Sequence, residues 1–225
     1  MEPEKTIEQV SEELKNTQAK LEQAYLDTIE TLRYTVDAKD SYTKGHSERV
    51  SEFSVLIGKQ LGISSDDMYA LRIGGLFHDI GKIGIPDYIL TKKDKLTDEE
   101  YEQIKKHPLI GEQILSNATI FSDIIPIVKY HHERFDGNGY PEHLKGEAIP
   151  LLARIVSVAD AFDAMASRRP YRNNVEINKI IEEISKNKNT QFDPAIADAL
   201  LEIIKNNYPA IEEIQQRYEI HEEDA

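Results

Sequence analysis

The sequence predicts an all-α fold, a helical bundle, and three observations carry that prediction. Apolar residues recur at spacings of three and four along most of the chain. No run alternates with the period of two that a half-buried strand requires. Glycine, proline and capping residues fall between the apolar stretches, where helices should start and stop. Residues 7–36 carry Ile7, Val10, Leu14, Leu21, Leu32 and Val36 at near-heptad spacing, weakened at Thr17, Ala24 and Thr28. They predict an extended N-terminal helix. It is either a coiled-coil linker that pairs in a homodimer below an upstream sensor or receiver domain, or an amphipathic helix folded onto its own domain. The next helix sets Val50, Phe53, Ile57 and Leu61 on one face and stops at Gly62. Ser64 or Ser65 caps a third, expected to run to about Ile80 and to end at Gly81. Thr97 and Glu100 have the spacing of a capping box, so a helix begins near Asp98, and Pro108 restarts it. A helix of about ten residues is expected to end at His131 or His132. Gly137, Gly139, Pro141, Gly146 and Pro150 then break regular structure across a long loop, residues 133–150, of a length often given to function. A helix over about residues 151–166 follows. Two or three more close the chain, one capped by Asp193 with Pro194 in its first turn. The chain thus divides into an N-terminal helix at 1–36, a main domain at 37–206, and a C-terminal helix with an acidic tail at 207–225.

Composition bounds what such a bundle does. Apolar residues make up 40% and charged residues 30%, enough for one sizeable core. No apolar run approaches the roughly 18 residues of a membrane helix. The polar, acidic start at residues 1–6 is no secretory signal, so the expected compartment is the cytoplasm. There is no cysteine, which excludes disulfides, thiolate nucleophiles and sulfur-held zinc. A metal here must be held by nitrogen and oxygen. The net charge is -14, but residues 1–30 and 202–225 each carry -5, leaving -4 for the middle. That balance excludes non-specific binding to long nucleic acid, which needs a basic surface. A small anionic substrate remains compatible with it if a metal and a few arginines supply local positive charge.

The histidines are not scattered. Five of the seven lie at His46, His78, His107, His131 and His132. His78 and Asp79 end one strongly apolar helix, and His131 and His132 end another. Asp160 sits among Ile155, Val156, Val158, Ala159 and Phe162, where a carboxylate needs a cation or hydrogen-bond donors to stay ionised. Each residue alone has an ordinary structural explanation; Asp160, for instance, could pair with Arg154 or Arg169. Together, buried helix ends that present imidazole and carboxylate are how bundles build metal centres.

Longer runs carry a family resemblance. His78-Asp79-Ile80-Gly81-Lys82 resembles the HD-x-GK motif of the HD phosphohydrolase superfamily. His131-His132-Glu133-Arg134-Phe135-Asp136-Gly137-Asn138-Gly139-Tyr140-Pro141 resembles the HHE(R/K)xDGxGYP signature of its HD-GYP subfamily. The stretch from Ala153 to Met165 and the run Arg168-Arg169-Pro170-Tyr171-Arg172 continue the likeness, which covers about residues 37–206. The resemblance implies an HD-domain helical bundle with a long GYP loop. It implies that His46, His78, Asp79 and Asp160 hold one divalent metal, and that Asp79, His107, His131 and His132 hold a second, Asp79 bridging. It assigns Lys82, Arg169 and Arg172 to substrate phosphates, and Tyr140 to a guanine base or the substrate wall. Some members bind a third metal through a glutamate four residues before the first histidine; Tyr42 stands there, so two metals are expected. Iron or manganese is favoured by the resemblance, while imidazole and carboxylate also suit zinc, nickel and cobalt.

The implied reaction is hydrolysis of cyclic di-GMP to linear pGpG, and on to GMP in some cases, by attack of a metal-bridging hydroxide. Mixed cyclic GMP-AMP dinucleotides are the substrate of some relatives, and no residue decides between them. Glu133 and Asp136 stay open as proton donors or as holders of the histidines. Two other readings remain: an HD phosphohydrolase acting on another nucleotide, and a catalytically silent cyclic-dinucleotide sensor.

Overall fold

A computed structural model describes residues 6–39, 45–167 and 174–218. Eleven α-helices and no strand are found among these residues. Helix α1 (Ile7–Lys39) divides in two along its length. Ile7, Val10, Leu14 and Leu21 are exposed, whereas Ile29 is buried and Leu32 packs against the core. The far end of the helix therefore folds onto the domain, and the near end keeps its apolar stripe in solvent. The reading of a helix folded onto its own domain holds for the far half.

Helix α2 (His46–Leu61) is the central element, packed against α3 (Ser65–Phe77), α8 (Leu151–Ser167), α10 (Pro194–Asn206) and α11 (Tyr208–Arg217). Gly62 closes α2 in the left-handed conformation, with its N–H bonded back to the last turn, as the sequence anticipates. Ser64 caps α3 by accepting from the N–H of Asp67. That helix ends at Phe77, earlier than expected, and Gly81 lies inside a 3-10 turn (Ile80–Gly84) instead of terminating α3. The reason is local: the imidazole of His78 bonds the carbonyl of Gly75, competing for a group at the open helix end.

After the short α4 (Asp87–Leu90), the Thr97–Glu100 capping box starts α5 (Asp98–Ile104), and Pro108 stands in the first turn of α6 (His107–Leu115). Helix α7 (Ile125–Tyr130) has six residues rather than about ten. Pro126 is at home in a first turn, and the segment before it forms a separate 3-10 turn (Thr119–Phe121). Asp193 caps α10 through the N–H groups of Ala195 and Ile196. Helix α9 (Asn174–Lys186) packs on α8 and α10. Ile211 and Ile214 of α11 are buried in the same core as α2, so this helix completes the bundle.

The core meets the histidines along α2 and α8. Phe53 of α2 and Phe162 of α8 touch edge to face, with ring centroids 5.0 Å apart, and both are buried. Phe162 lies between Asp160 and Asp163 on its helix, so this contact holds both carboxylates in register. Phe53→Ala is expected to cost about 3–5 kcal/mol, because the cavity cannot collapse between two rigid helices. Urea unfolding measures it, and a loss under about 1 kcal/mol would remove the pair from the account of stability.

Candidate metal centre

Helices α3, α5 and α7 end at one place, and an imidazole sits at each end. The last carbonyls of a helix have no intrahelical donor. Here Nδ1 of His78 donates to the Gly75 carbonyl, Nδ1 of His107 to that of Ile104, and Nδ1 of His131 to that of Val128, each at 2.8 Å. A proton on Nδ1 leaves Nε2 as a bare lone pair in the neutral ring. Those lone pairs converge. His107 Nε2 lies 3.3 Å from His131 Nε2, and His78 Nε2 is buried with no hydrogen-bond partner.

Asp79 follows His78 into the middle of the group. Its Oδ1 lies 3.2 Å from His107 Nε2 and 3.9 Å from His131 Nε2. Its Oδ2 lies 3.3 Å from His78 Nε2 and 2.7 Å from Lys82 Nζ. Two donor sets result, with Asp79 in both. Asp79, His107, His131 and His132 offer one ligand atom each within 4.8 Å of one another, and so do His46, His78 and Asp79. Asp160 joins the second set through His46, with Oδ1 3.3 Å from Nε2.

The electrostatics fit a divalent cation. Burial pushes His107, His131 and His132 down, His132 to about 3, so a proton is expelled from the very atoms that converge. Two neutral Nε2 lone pairs at 3.3 Å repel unless a cation lies between them. Burial would push the Asp79 carboxyl up, but Lys82 and His78 prevail and hold it well below the usual carboxylate range. His46 behaves differently. Burial opposes its charge, yet Asp160 and Asp163 raise it to about 10, so this corner calls for a positive charge, from a proton or from a metal. Nitrogen and carboxylate donors with no sulfur suit a first-row divalent metal.

The GYP loop closes one side. Tyr140 stacks on His132 with ring centroids 4.8 Å apart, and its N–H donates to the His132 carbonyl at 3.2 Å. Glu133 Oε1 accepts the N–H of Glu142 at 2.7 Å, while Asp136 pairs with Arg134 at 3.0 Å and its N–H donates to the Thr190 carbonyl at 2.8 Å. Both acids brace the loop. Arg154 pairs with Asp193, so it is not the partner of Asp160.

Residues 30–196 match the HD domain family model. The chain belongs to the HD domain family. The HD-x-GK run at His78–Lys82 and the HD-GYP run at His131–Pro141 fall within the matched span. This HD domain is 42% identical over 181 residues to the 3'3'-cGAMP-specific phosphodiesterase 3 of Vibrio cholerae, covering 80% of this chain and 39% of that protein. It is 38% identical over 208 residues to the cyclic di-GMP phosphodiesterase response regulator RpfG of Xanthomonas campestris, covering 87% and 55%. A cyclic di-GMP phosphodiesterase of Thermotoga maritima is 41% identical over 181 residues, covering 80% and 49%. The chain thus spans about half the length of these curated relatives or less. Among solved structures, an HDGYP protein from Bdellovibrio bacteriovorus superposes with a TM-score of 0.60 at 23% identity, covering 79% of this chain and 65% of that one. The HD domain of the Listeria monocytogenes phosphodiesterase PgpH, solved with cyclic-di-AMP, gives 0.60 at 19%, covering 85% and 98%. These two likenesses show the shared helical fold.

In this HD domain the structure brings His46, His78, Asp79, Lys82, His107, His131, His132, Tyr140 and Asp160 to one centre. Arg169, Arg172 and Tyr42 lie outside the described residues. Sequence reasoning gave no role to Asp163 and Arg49, which stand directly behind His46. Asp163 comes three residues after Asp160 on a helix, a spacing that places both on one face and could have pointed to it.

Proposed function

We propose that this HD domain is the catalytic part of a metal-dependent phosphodiesterase that opens cyclic di-GMP to linear pGpG. The sharing of Asp79 between two nitrogen and oxygen donor sets carries the proposal. On this reading His46, His78, Asp79 and Asp160 hold one divalent ion, and Asp79, His107, His131 and His132 hold a second, iron or manganese in each. Bound there, the ions supply Lewis-acid polarisation of a phosphoryl group and make a water acidic enough to attack phosphorus at neutral pH.

The protein's own groups do the rest. The Lys82 ammonium, 2.7 Å from Asp79 Oδ2, stands where it can turn to a phosphate oxygen entering the centre. The Tyr140 ring, backed by His132, offers an apolar face to a base and shields one wall from water. Arg169 and Arg172 are proposed to clamp the phosphates as planar forks. The printed activities of the Xanthomonas and Thermotoga relatives support cyclic di-GMP as substrate. The 42% identity to a 3'3'-cGAMP-specific enzyme supports a second reading, in which the mixed dinucleotide is preferred.

The test is to purify the chain anaerobically, count bound metals by mass spectrometry, and follow both cyclic dinucleotides by chromatography. Turnover with about two metals per chain is expected, and chelation should abolish it. A fully loaded protein inert toward both substrates would leave the nucleotide hydrolase or the sensor. We also propose that the exposed stripe of α1 pairs two chains, a cytoplasmic homodimer below a sensor or receiver domain. Light scattering should give twice the chain mass, and a monomer at high concentration would end that proposal.

A further inference from the structure

Of the five imidazoles in the centre, three give Nδ1 to a backbone carbonyl and His46 turns it to a carboxylate. His78 and His131 follow the last residues of α3 and α7, and His107, which opens α6, comes three residues after the end of α5, so in each case a helix-end carbonyl three residues back takes the Nδ1 proton. His46 is the first residue of α2, and its Nδ1 partner comes from α8. Asp163 Oδ2 lies 2.8 Å from His46 Nδ1. Asp163 is fully buried and is itself held by a fork: Arg49 Nε donates to Oδ1 at 2.7 Å and Arg49 Nη2 to Oδ2 at 3.1 Å. The third guanidinium nitrogen, Nη1, donates to the carbonyl of Tyr218 at the end of α11, at 3.2 Å.

We propose that Asp163 is a positioning residue for His46, fixing its ring so that Nε2 faces Asp160 and a metal ion, and that Arg49 ties this pair to the end of α11. The inference rests on the proposed role of His46 as a ligand. The physical argument is the asymmetry. A carboxylate behind an imidazole makes Nε2 a stronger donor than a backbone carbonyl does, and it fixes ring orientation as well. His46 is the ligand whose Nδ1 meets a buried carboxylate in place of a backbone carbonyl. Asp163 pairs with Arg49 at hydrogen-bond distance through both oxygens, which keeps it ionised despite burial. The metal on the His46 side therefore depends on a four-part chain, Tyr218 carbonyl to Arg49 to Asp163 to His46, whereas the metal among His107, His131 and His132 does not.

The test titrates the metal-free full chain with Mn(II) against a competing chelator. Wild type should show two classes of site. In Asp163→Asn, which keeps the side-chain volume, the weaker binding of one class by about 10- to 100-fold is expected, with the other class unchanged. In a His46→Ala background the same substitution should add nothing, because it acts through that ring. Both classes unchanged, or both weakened together with a lower unfolding midpoint of the metal-free protein, would overturn the proposal and leave Asp163 a structural ion pair. If Asp163→Asn does not fold, Arg49→Lys carries the test. It keeps the charge and loses the fork, so the same class should weaken, and unchanged binding would overturn the proposal. Wild type that binds no metal fails differently: it removes His46 as a ligand and the proposed function with it.

Discussion

Asp79→Asn should strip the centre of both metals and lower turnover by on the order of 10³-fold or more, equivalent to about 4 kcal/mol of transition-state stabilisation. The substitution keeps the volume of the side chain, so no cavity confuses the result. What changes is charge and donor chemistry. Asp79 contributes an oxygen to each donor set, with Oδ1 3.2 Å from His107 Nε2 and Oδ2 3.3 Å from His78 Nε2. An amide offers one neutral oxygen and an N–H group that points a positive dipole at the place of a cation. Lys82 loses its 2.7 Å partner at the same time, leaving an ammonium in the centre that repels any metal still bound. Metal content and turnover should fall together. An Asn variant with two metals and wild-type turnover would show that Asp79 is not shared between the two ions.

Gly81→Ala should destabilise the protein by more than about 3 kcal/mol, at the upper end of what overpacking a tight contact costs. A Cβ at Gly81 would stand 1.8 Å from the carbonyl oxygen of His107 and 2.6 Å from the backbone nitrogen of Gly111. Neither neighbour is the tip of a flexible side chain, so α6 and the 3-10 turn must move apart as backbones. For a chain of this size that loss lowers the melting temperature by roughly 6–12 °C. The shift would also draw His107 away from Asp79, so metal binding among His107, His131 and His132 should weaken beyond the loss of stability. Thermal unfolding with and without metal measures both. An alanine variant that melts with wild type would mean that the approach of the turn to α6 is looser than its geometry states.

Much of this was legible along the chain. The all-α class, the Thr97–Glu100 capping box, the Gly62 stop and the Asp193 cap are signals carried by neighbours within four residues, where local hydrogen bonds and steric limits decide the outcome. The donor set was legible for another reason. Polar, titratable pairs at the end of an apolar helix are costly to bury without a use, and His78–Asp79 and His131–His132 are two such pairs. The end of α3 and the start of α7 differ from the sequence expectation, because an imidazole that takes a carbonyl, or a proline that sets a first turn, changes the helix limit through side-chain geometry that periodicity does not encode.

By itself, then, the sequence determined the helices, their caps, and which residue types would meet a metal. Tertiary structure alone decided three things. Helix α1 turns one end onto the core and leaves the other bare, since burial depends on what lies opposite. Gly81 has no side chain because α6 crosses it at backbone contact, a neighbour that lies 26 residues on in sequence at His107. Asp163 stands behind His46 across 117 residues of chain, joined to it by a hydrogen bond between α8 and α2. Residues so far apart in sequence share no local signal, and only the packing of α2 against α8 brings that carboxylate to that ring.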